Sequence, residues 1–245
     1  MRKSLHHLKK TFSTPEFLKI LTLRTIGNFL VLLSLFMIGK TFYLPAKEEI
    51  RYFIEKKFEK KYIVEDKQRL SLSKDSLYKT QPKGLLAKAL NIKSIEILVP
   101  QDPNFSIVIP KIGANAKVSG NVNAGDEKEY LEVLKKGVAH AAGTAFPGEG
   151  GHIFLFAHST DYFWNVGSYN AVFYLLYKLE KGDEVNLFYQ GQRVVYQVID
   201  KRIVDPSQVE FLTKKTNREF LTLQTCWPPG TTLKRLLVFA RRAVE

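Results

Sequence analysis

Read from the N-terminus, the pattern of apolar and polar positions changes its period along the chain. Thr25 to Gly39 carries no charge, Lys40 interrupts it, and Thr41-Phe42-Tyr43-Leu44 extends it. No polar face breaks this run. With Lys40 snorkelling, it reaches about 20 residues, the length that crosses a hydrocarbon core. Residues 25–44 are therefore expected to be a membrane-spanning anchor. In the next stretch, Ile50, Phe53, Ile54 and Phe58 fall on one helical face, while acids and bases alternate elsewhere up to Ile63. That reads as a juxtamembrane helix acting as a solvated spacer. Ser71 to Lys83, with Gln81-Pro82, reads as a flexible linker, and Leu85 to Leu90 as a short helix.

From Phe105 onward the period shortens to two. Ser106 to Gly113 alternates as a strand, and Ala114 to Val118 continues it. Asp126 to Lys136 returns to a helical pattern, with Tyr130, Leu131 and Leu134 as its apolar stripe. Glycine and proline mark 143–151 as a loop, and His152 to Ser159 is an apolar run typical of a buried strand. After the aromatic-rich loop Ser159 to Asn170, Phe173, Leu176 and Leu179 indicate a short helix. Val185–Tyr189 and Arg193–Ile199 pair across Gln190-Gly191-Gln192, with Asp183 as a turn residue ahead of them. Val204-Asp205-Pro206 ends that pair. Two more strands follow, Phe220 to Thr225 and Arg235 to Ala240. Seven or eight short strands with few helices imply an all-β domain closed as an antiparallel β-barrel. The expected division is 1–24 as a basic cytoplasmic segment, 25–44 as the anchor, 45–104 as helix and linker, and 105–245 as the barrel.

Charge sharpens the division. The formal net charge is +13 over 245 residues. Residues 1–45 hold seven Lys/Arg against one acid, 46–100 thirteen against eight, and 101–245 seventeen against fifteen. A nucleic-acid enzyme concentrates its basic excess around its site. Here the excess lies outside the expected barrel, which argues against nucleic acid and for a membrane. Arg2, Lys3, Lys9, Lys10, Lys19 and Arg24 precede the apolar run. They place the N-terminus inside and the bulk of the chain outside. No small-x-small cleavage site follows the run, so the anchor is expected to stay uncleaved in the cell membrane as a single pass.

The chemistry converges on one stretch. Leu221 to Cys226 ends on the only cysteine, Trp227-Pro228-Pro229-Gly230 turns the chain, and Arg235 opens the next apolar run. Two strands joined by that turn set Cys226 beside Arg235, a sulfur nucleophile next to a stabiliser of negative charge. A lone cysteine in an exported chain has no intramolecular disulfide partner. Its commonest fate is that of a small buried hydrophobe.

The motif Thr222-Leu223-Gln224-Thr225-Cys226 followed by Arg235 resembles the sortases, membrane-anchored cysteine transpeptidases of bacterial surfaces. Ile109-Pro110-Lys111-Ile112-Gly113 and Gly137-Val138-Ala139-His140 through Gly143-Thr144-Ala145 to Pro147-Gly148 are similar to further segments of that family. The resemblance covers roughly the last 140 residues and implies the sortase barrel. It implies Cys226 as nucleophile, His158 as acid/base and Arg235 as oxyanion stabiliser. Ala157 departs from the usual glycine before that histidine. His140 and His152 are rival histidines; His152 opens the strand, about 20 Å from His158. Thr225, Trp227 and His140 are candidate substrate-binding residues, with packing the competing role for Trp227 and a structural hydrogen bond for His140. The implied partners are surface proteins carrying a C-terminal sorting signal of the L-P-x-T-G kind and an amine of a cell-wall precursor or pilin subunit. No cofactor is expected, and without an acid cluster of calcium-loop spacing no metal is either. Two alternatives share these residues. One is a thiol hydrolase or protease on the same barrel, and the other is a catalytically silent binding protein.

Overall fold

The computed structural model describes residues 15–58, 60–64, 95–159, 172–213 and 216–243. The chain divides into two compact units, Met1–Ala46 and Lys47–Glu245. One helix, α1 (Pro15–Lys57), carries both apolar runs and continues through Pro45. Its span is long and apolar enough to cross a membrane, with a mean hydropathy of 1.8. Its hydroxyls are satisfied within the helix: Thr25 Oγ1 donates to the Leu21 carbonyl and Thr41 Oγ1 to that of Met37. Such back-bonding removes the need for water that a lipid environment denies.

The second unit begins well before the expected boundary at Phe105. β1 (Lys61–Val64) and β2 (Ile95–Leu98) form a parallel pair, Lys61 opposite Ile95. Lys61 to Ile63 is thus strand, where the sequence pattern suggested helix. Val64 and Leu98 pack on Val108 and Phe188 of the barrel. Arg193 Nη1 donates to the Val64 carbonyl (3.0 Å), and Asn115 Nδ2 to that of Val99 (2.7 Å). Arg51, paired with Glu48 and Glu55, donates to the Ile112 carbonyl at 3.0 Å. These contacts make residues 47–64 and 95–104 part of the folded domain, not a free stalk. The expected linker over 71–83 and short helix over 85–90 lie outside the described residues.

The barrel comprises β3 (Phe105–Ile109), β4 (Ala114–Val122), β5 (Val138–Ala141), β6 (His152–Phe156), β7 (Glu184–Tyr189), β8 (Gln192–Val204), β9 (Phe220–Trp227) and β10 (Lys234–Arg242). It closes in the order β10-β8-β7-β3-β4-β5-β6-β9. Six neighbouring pairs are antiparallel, but β4 with β5 and β6 with β9 run parallel. The expectation of a wholly antiparallel barrel is corrected there. Parallel neighbours need a long crossover, and both have one: α2 (Glu127–Leu134) for the first, everything from β7 to α3 (Glu210–Thr213) for the second.

Local chemistry sets these crossings. Asp126 caps α2 by accepting from the amides of Lys128 and Glu129, as short polar side chains do at helix starts. Gly137 then lets β5 close on β4, since a Cβ there would lie 2.4 Å from the Lys117 carbonyl oxygen. Each barrel strand alternates between two apolar sets. Ile107, Ile153, Leu155, Leu221, Leu223, Leu236 and Val238 fill the interior. Phe154, Phe156, Ala139, Ala141, Leu237 and Phe239 form an outer layer with Leu134 of α2 and Phe211 of α3. The short helix expected from Phe173, Leu176 and Leu179 is a 3-10 turn at Leu176–Lys178, and all three side chains are fully buried.

Candidate active site

Three adjacent strands in the order β6, β9, β10 build the site. Arg235 stands directly opposite Cys226 in the antiparallel β9–β10 register. On the other side, parallel β6 pairs Phe156 with Gln224. The Ala157 amide continues that ladder by donating to the Gln224 carbonyl at 3.1 Å. His158 follows two residues past Phe156, and Cys226 two past Gln224, so both sit at the same end of the sheet. Neighbouring strands lie about 4.8 Å apart, so Arg235 flanks the cysteine one strand away.

Side-chain parity places Cys226 and Arg235 on one face. Successive residues of a strand point to opposite sides. Phe154 and Phe156 lie in the outer layer, as do Phe220, Leu237 and Phe239. Cys226 and Arg235 share their parity and hence face outward, at the end of β9, and His158 follows Phe156 just past the end of β6. Cys226 and His158 are half-buried. The Arg235 guanidinium donates through Nη1 to the carbonyls of Thr232 and Lys234, both at 3.1 Å, and so is braced by the loop that leads into its own strand.

Burial pushes the Cys226 thiol up, and the positive charge of Arg235 opposes that rise without cancelling it. An anion loses solvation on burial, so the neutral thiol is favoured. The buried sulfur is thereby biased towards its protonated form. Chemistry at Cys226 then requires a group that takes its proton, and His158 is the imidazole at the same end of the sheet.

The three candidate substrate-binding residues lie on the other side of the sheet. Thr225 is 4% exposed, and its hydroxyl donates to the Ala157 carbonyl at 2.9 Å. That bond ties β9 to the residue before His158 and uses the hydroxyl's only hydrogen, and burial keeps its oxygen from solvent. Trp227 packs against the interior cluster and the Tyr177 ring, with centroids 5.3 Å apart. His140 is fully buried inside the barrel, stacked on Phe146 at 4.4 Å. Its Nδ1 accepts from the Asn121 amide (3.2 Å), so its Nε2–H is the donor facing the Ala145 carbonyl (3.0 Å) and the Thr144 hydroxyl (2.9 Å). Burial pushes His140 below the usual histidine range. It is the neutral linchpin of the 141–146 turn, and contact with substrate would require it to leave the interior.

His152 lies at the far end of β6, with Nε2 2.8 Å from the Thr222 hydroxyl. Ala157 fits where a glycine was expected. It has no positive φ, and its methyl is buried in the interior cluster. Asp183 accepts from Lys111 Nζ (2.8 Å) and the Glu180 amide, a turn role. Among the described residues no group of three or more His, Cys, Asp or Glu is placed to hold a metal ion. His6, His7 and residues 160–171 lie outside the described residues. Sequence reasoning missed Tyr177 and Glu49, which stand behind Trp227: they are 128 positions apart, and no local pattern links them.

Comparison with known proteins identifies the family. The family model for the sortase domain matches residues 107–243. Sortase D of Bacillus subtilis (strain 168) is 30% identical over 137 residues, covering 55% of this chain and 61% of that protein. The chain thus spans less than two thirds of that relative's length. Among solved structures, sortase C-1 from Actinomyces oris is 30% identical, covers 59% of this chain and 76% of its own, and superposes with a TM-score of 0.48. Clostridium perfringens sortase C, solved with the C-terminal cell wall sorting motif, is 29% identical over 57% and 70% of the two chains, with a TM-score of 0.48. The family match embraces every strand of the site, from β6 through β10, and the chain belongs to the sortase family.

Proposed function

We propose that this chain is a membrane-anchored cysteine transpeptidase that cuts a sorting signal of the L-P-x-T-G kind and joins the released acyl group to an amine. What supports the reading is the register: β10 sets Arg235 opposite Cys226, and β6, paired with β9 up to Phe156 and Gln224, leads into His158 at the same end of the sheet. His158 takes the Cys226 proton, and the thiolate attacks the scissile carbonyl carbon. The carbonyl electron pair moves onto oxygen, where Arg235 offers charge-assisted N–H donors. When the tetrahedral species collapses, the C–N bond breaks, and the leaving amine takes the proton held by His158. A thioester on Cys226 remains. An acceptor amine from a cell-wall precursor or a pilin subunit attacks it, gives its proton to His158 and expels the thiolate. The new amide bond balances the one broken.

The long apolar α1 supports a tether to the cell membrane, with the N-terminus cytoplasmic and the barrel outside, as the basic residues before the span favour. Such a tether keeps the enzyme on the surface where exported chains and wall precursors emerge.

The test is product analysis. Full-length protein in nanodiscs is given a fluorescent L-P-x-T-G peptide with and without a glycine-peptide acceptor. The expected result is an amide-exchanged product that vanishes in Cys226→Ala. Hydrolysis alone in the presence of acceptor would instead assign a thiol hydrolase. A Cys226 inert to both a panel of sorting peptides and a thiol-directed alkylator would remove the enzymatic reading altogether.

A further inference from the structure

The membrane-proximal end of α1 reaches the residue next to the nucleophile through two side chains. Tyr177, in the 3-10 turn Leu176–Lys178, donates its hydroxyl hydrogen to Glu49 of α1. The same ring packs against Trp227 with centroids 5.3 Å apart, and Trp227 follows Cys226. Lys178 strengthens the joint: its Nζ pairs with Glu49 at 3.1 Å and lies over the Tyr52 ring at 5.3 Å. From the other side Lys201 Nζ donates to the carbonyls of Tyr177 (2.7 Å) and Leu179 (2.9 Å), which fixes the turn to β8. Tyr52, Tyr177 and Trp227 all pack on the interior cluster. Burial first, and then the Glu49 carboxylate, push the Tyr177 hydroxyl up to about 12. Tyr177 is therefore a donor at every working pH.

We propose that Glu49 and Tyr52 of α1 form a positioning element of the active site, holding Trp227 through Tyr177 and thereby steadying Cys226 relative to His158 and Arg235. The inference rests on the transpeptidase reading and goes beyond it, because it makes the tether helix part of the catalytic geometry. Nothing in the local sequence of α1 announces this role. Its basis is that Trp227 and Cys226 are consecutive in β9 and point to opposite faces, so packing that fixes the indole also steadies the backbone that carries the sulfur. A displacement near 1 Å costs on the order of 100-fold where reacting atoms must be aligned. Residues 47–57 of α1 and the barrel are then coupled, and a chain cut at Phe105 keeps the three reactive residues but loses their support.

The experiment uses the full chain in nanodiscs in a Trp164→Phe background, where Trp227 is the sole indole. Glu49→Ala, Glu49→Gln and Tyr177→Phe are compared by kcat and KM for peptide transfer, by Trp227 emission and by Tm. Glu49→Ala and Tyr177→Phe are expected to lower kcat about 10-fold with KM within about 2-fold, and to red-shift Trp227. Glu49→Gln, which still accepts the Tyr177 hydrogen bond, is expected to restore emission and most of kcat. An unchanged emission in Glu49→Ala and Tyr177→Phe overturns the proposal, as does a fall in kcat that follows Tm alone. If the parent protein transfers no peptide, the transpeptidase reading fails, while the emission comparison still decides whether α1 holds Trp227.

Discussion

β9 shows two surfaces that differ in what they tolerate. Its outward residues end on Cys226, opposite Arg235, and carry reactive groups that are only half-buried. Its inward residues, Leu221, Leu223 and Thr225, are at most 4% exposed and belong to the barrel's packed interior or its closing hydrogen bond to Ala157. The two histidines repeat the contrast. His158 is half-buried just past the end of β6, whereas His140 is fully buried and spends both ring nitrogens on Asn121, Ala145 and Thr144. Residue type alone does not separate the two groups, and neither does the face, since outer His152 and Thr222 are buried and bonded to each other; burial does. A buried polar group must be saturated by the protein, because burying it unpaired costs about 1–3 kcal/mol.

Substitutions in the two groups should therefore separate activity from stability. The largest effect expected is that of Cys226→Ala, which should abolish thioester formation with Tm unchanged within about 2 °C, since a half-buried sulfur contributes little packing. A large drop in Tm would show that the cysteine serves the core after all. Next comes Arg235→Ala, with kcat reduced about 100- to 1000-fold, the usual loss for one oxyanion donor. The same variant sharpens the electrostatic side of the comparison. Without the guanidinium, the Cys226 thiol rises further, so the midpoint of its alkylation rate should move to higher pH. A midpoint that stays put would mean the two groups do not interact.

Thr225→Val tests the inner face. The loss of one hydrogen bond to a buried carbonyl should cost about 1–2 kcal/mol of stability, read in a urea titration. A smaller decrease in kcat is expected alongside it, because the bond holds the peptide leading to His158. If activity instead collapsed with stability intact, the hydroxyl would have to face substrate. The smallest effect concerns pH. His140 has its folded-state pKa depressed, so the unfolded chain binds the proton first as pH falls. The stabilising contribution is full above the unfolded value near 6.5 and is lost as pH drops below it. Protonation would also set an imidazole N–H against the Asn121 amide N–H. The Tm should fall between pH 7 and pH 5, and His140→Gln should flatten that part of the profile. An equal slope in the variant would assign the acid sensitivity to other groups.

Several of these features were legible in the chain. The apolar run over 25–44 and its flanking charges pointed to the span, and period-two alternation located most barrel strands. The Pro-Pro-Gly turn between two apolar runs was enough to pair Cys226 with Arg235, because hairpin geometry is local. Other features were not. Alternation does not reveal strand direction, so the parallel β4–β5 and β6–β9 pairs emerged only from the closed sheet. The short β1 and β2 strands, thirty-four positions apart in register, were masked by a charged sequence that also suits a helix.

By itself, then, the sequence determined which segments are apolar, where turns break them and which reactive side chains the chain owns, since these follow from residue type and spacing along a few neighbours. Tertiary structure decided that β6 runs parallel beside β9, that Thr225 and His140 turn inward, and that α1 reaches Trp227 through Glu49 and Tyr177. Each of those depends on pairing between segments far apart in the chain, and such pairing is selected by the closure of the whole barrel and not by any local preference.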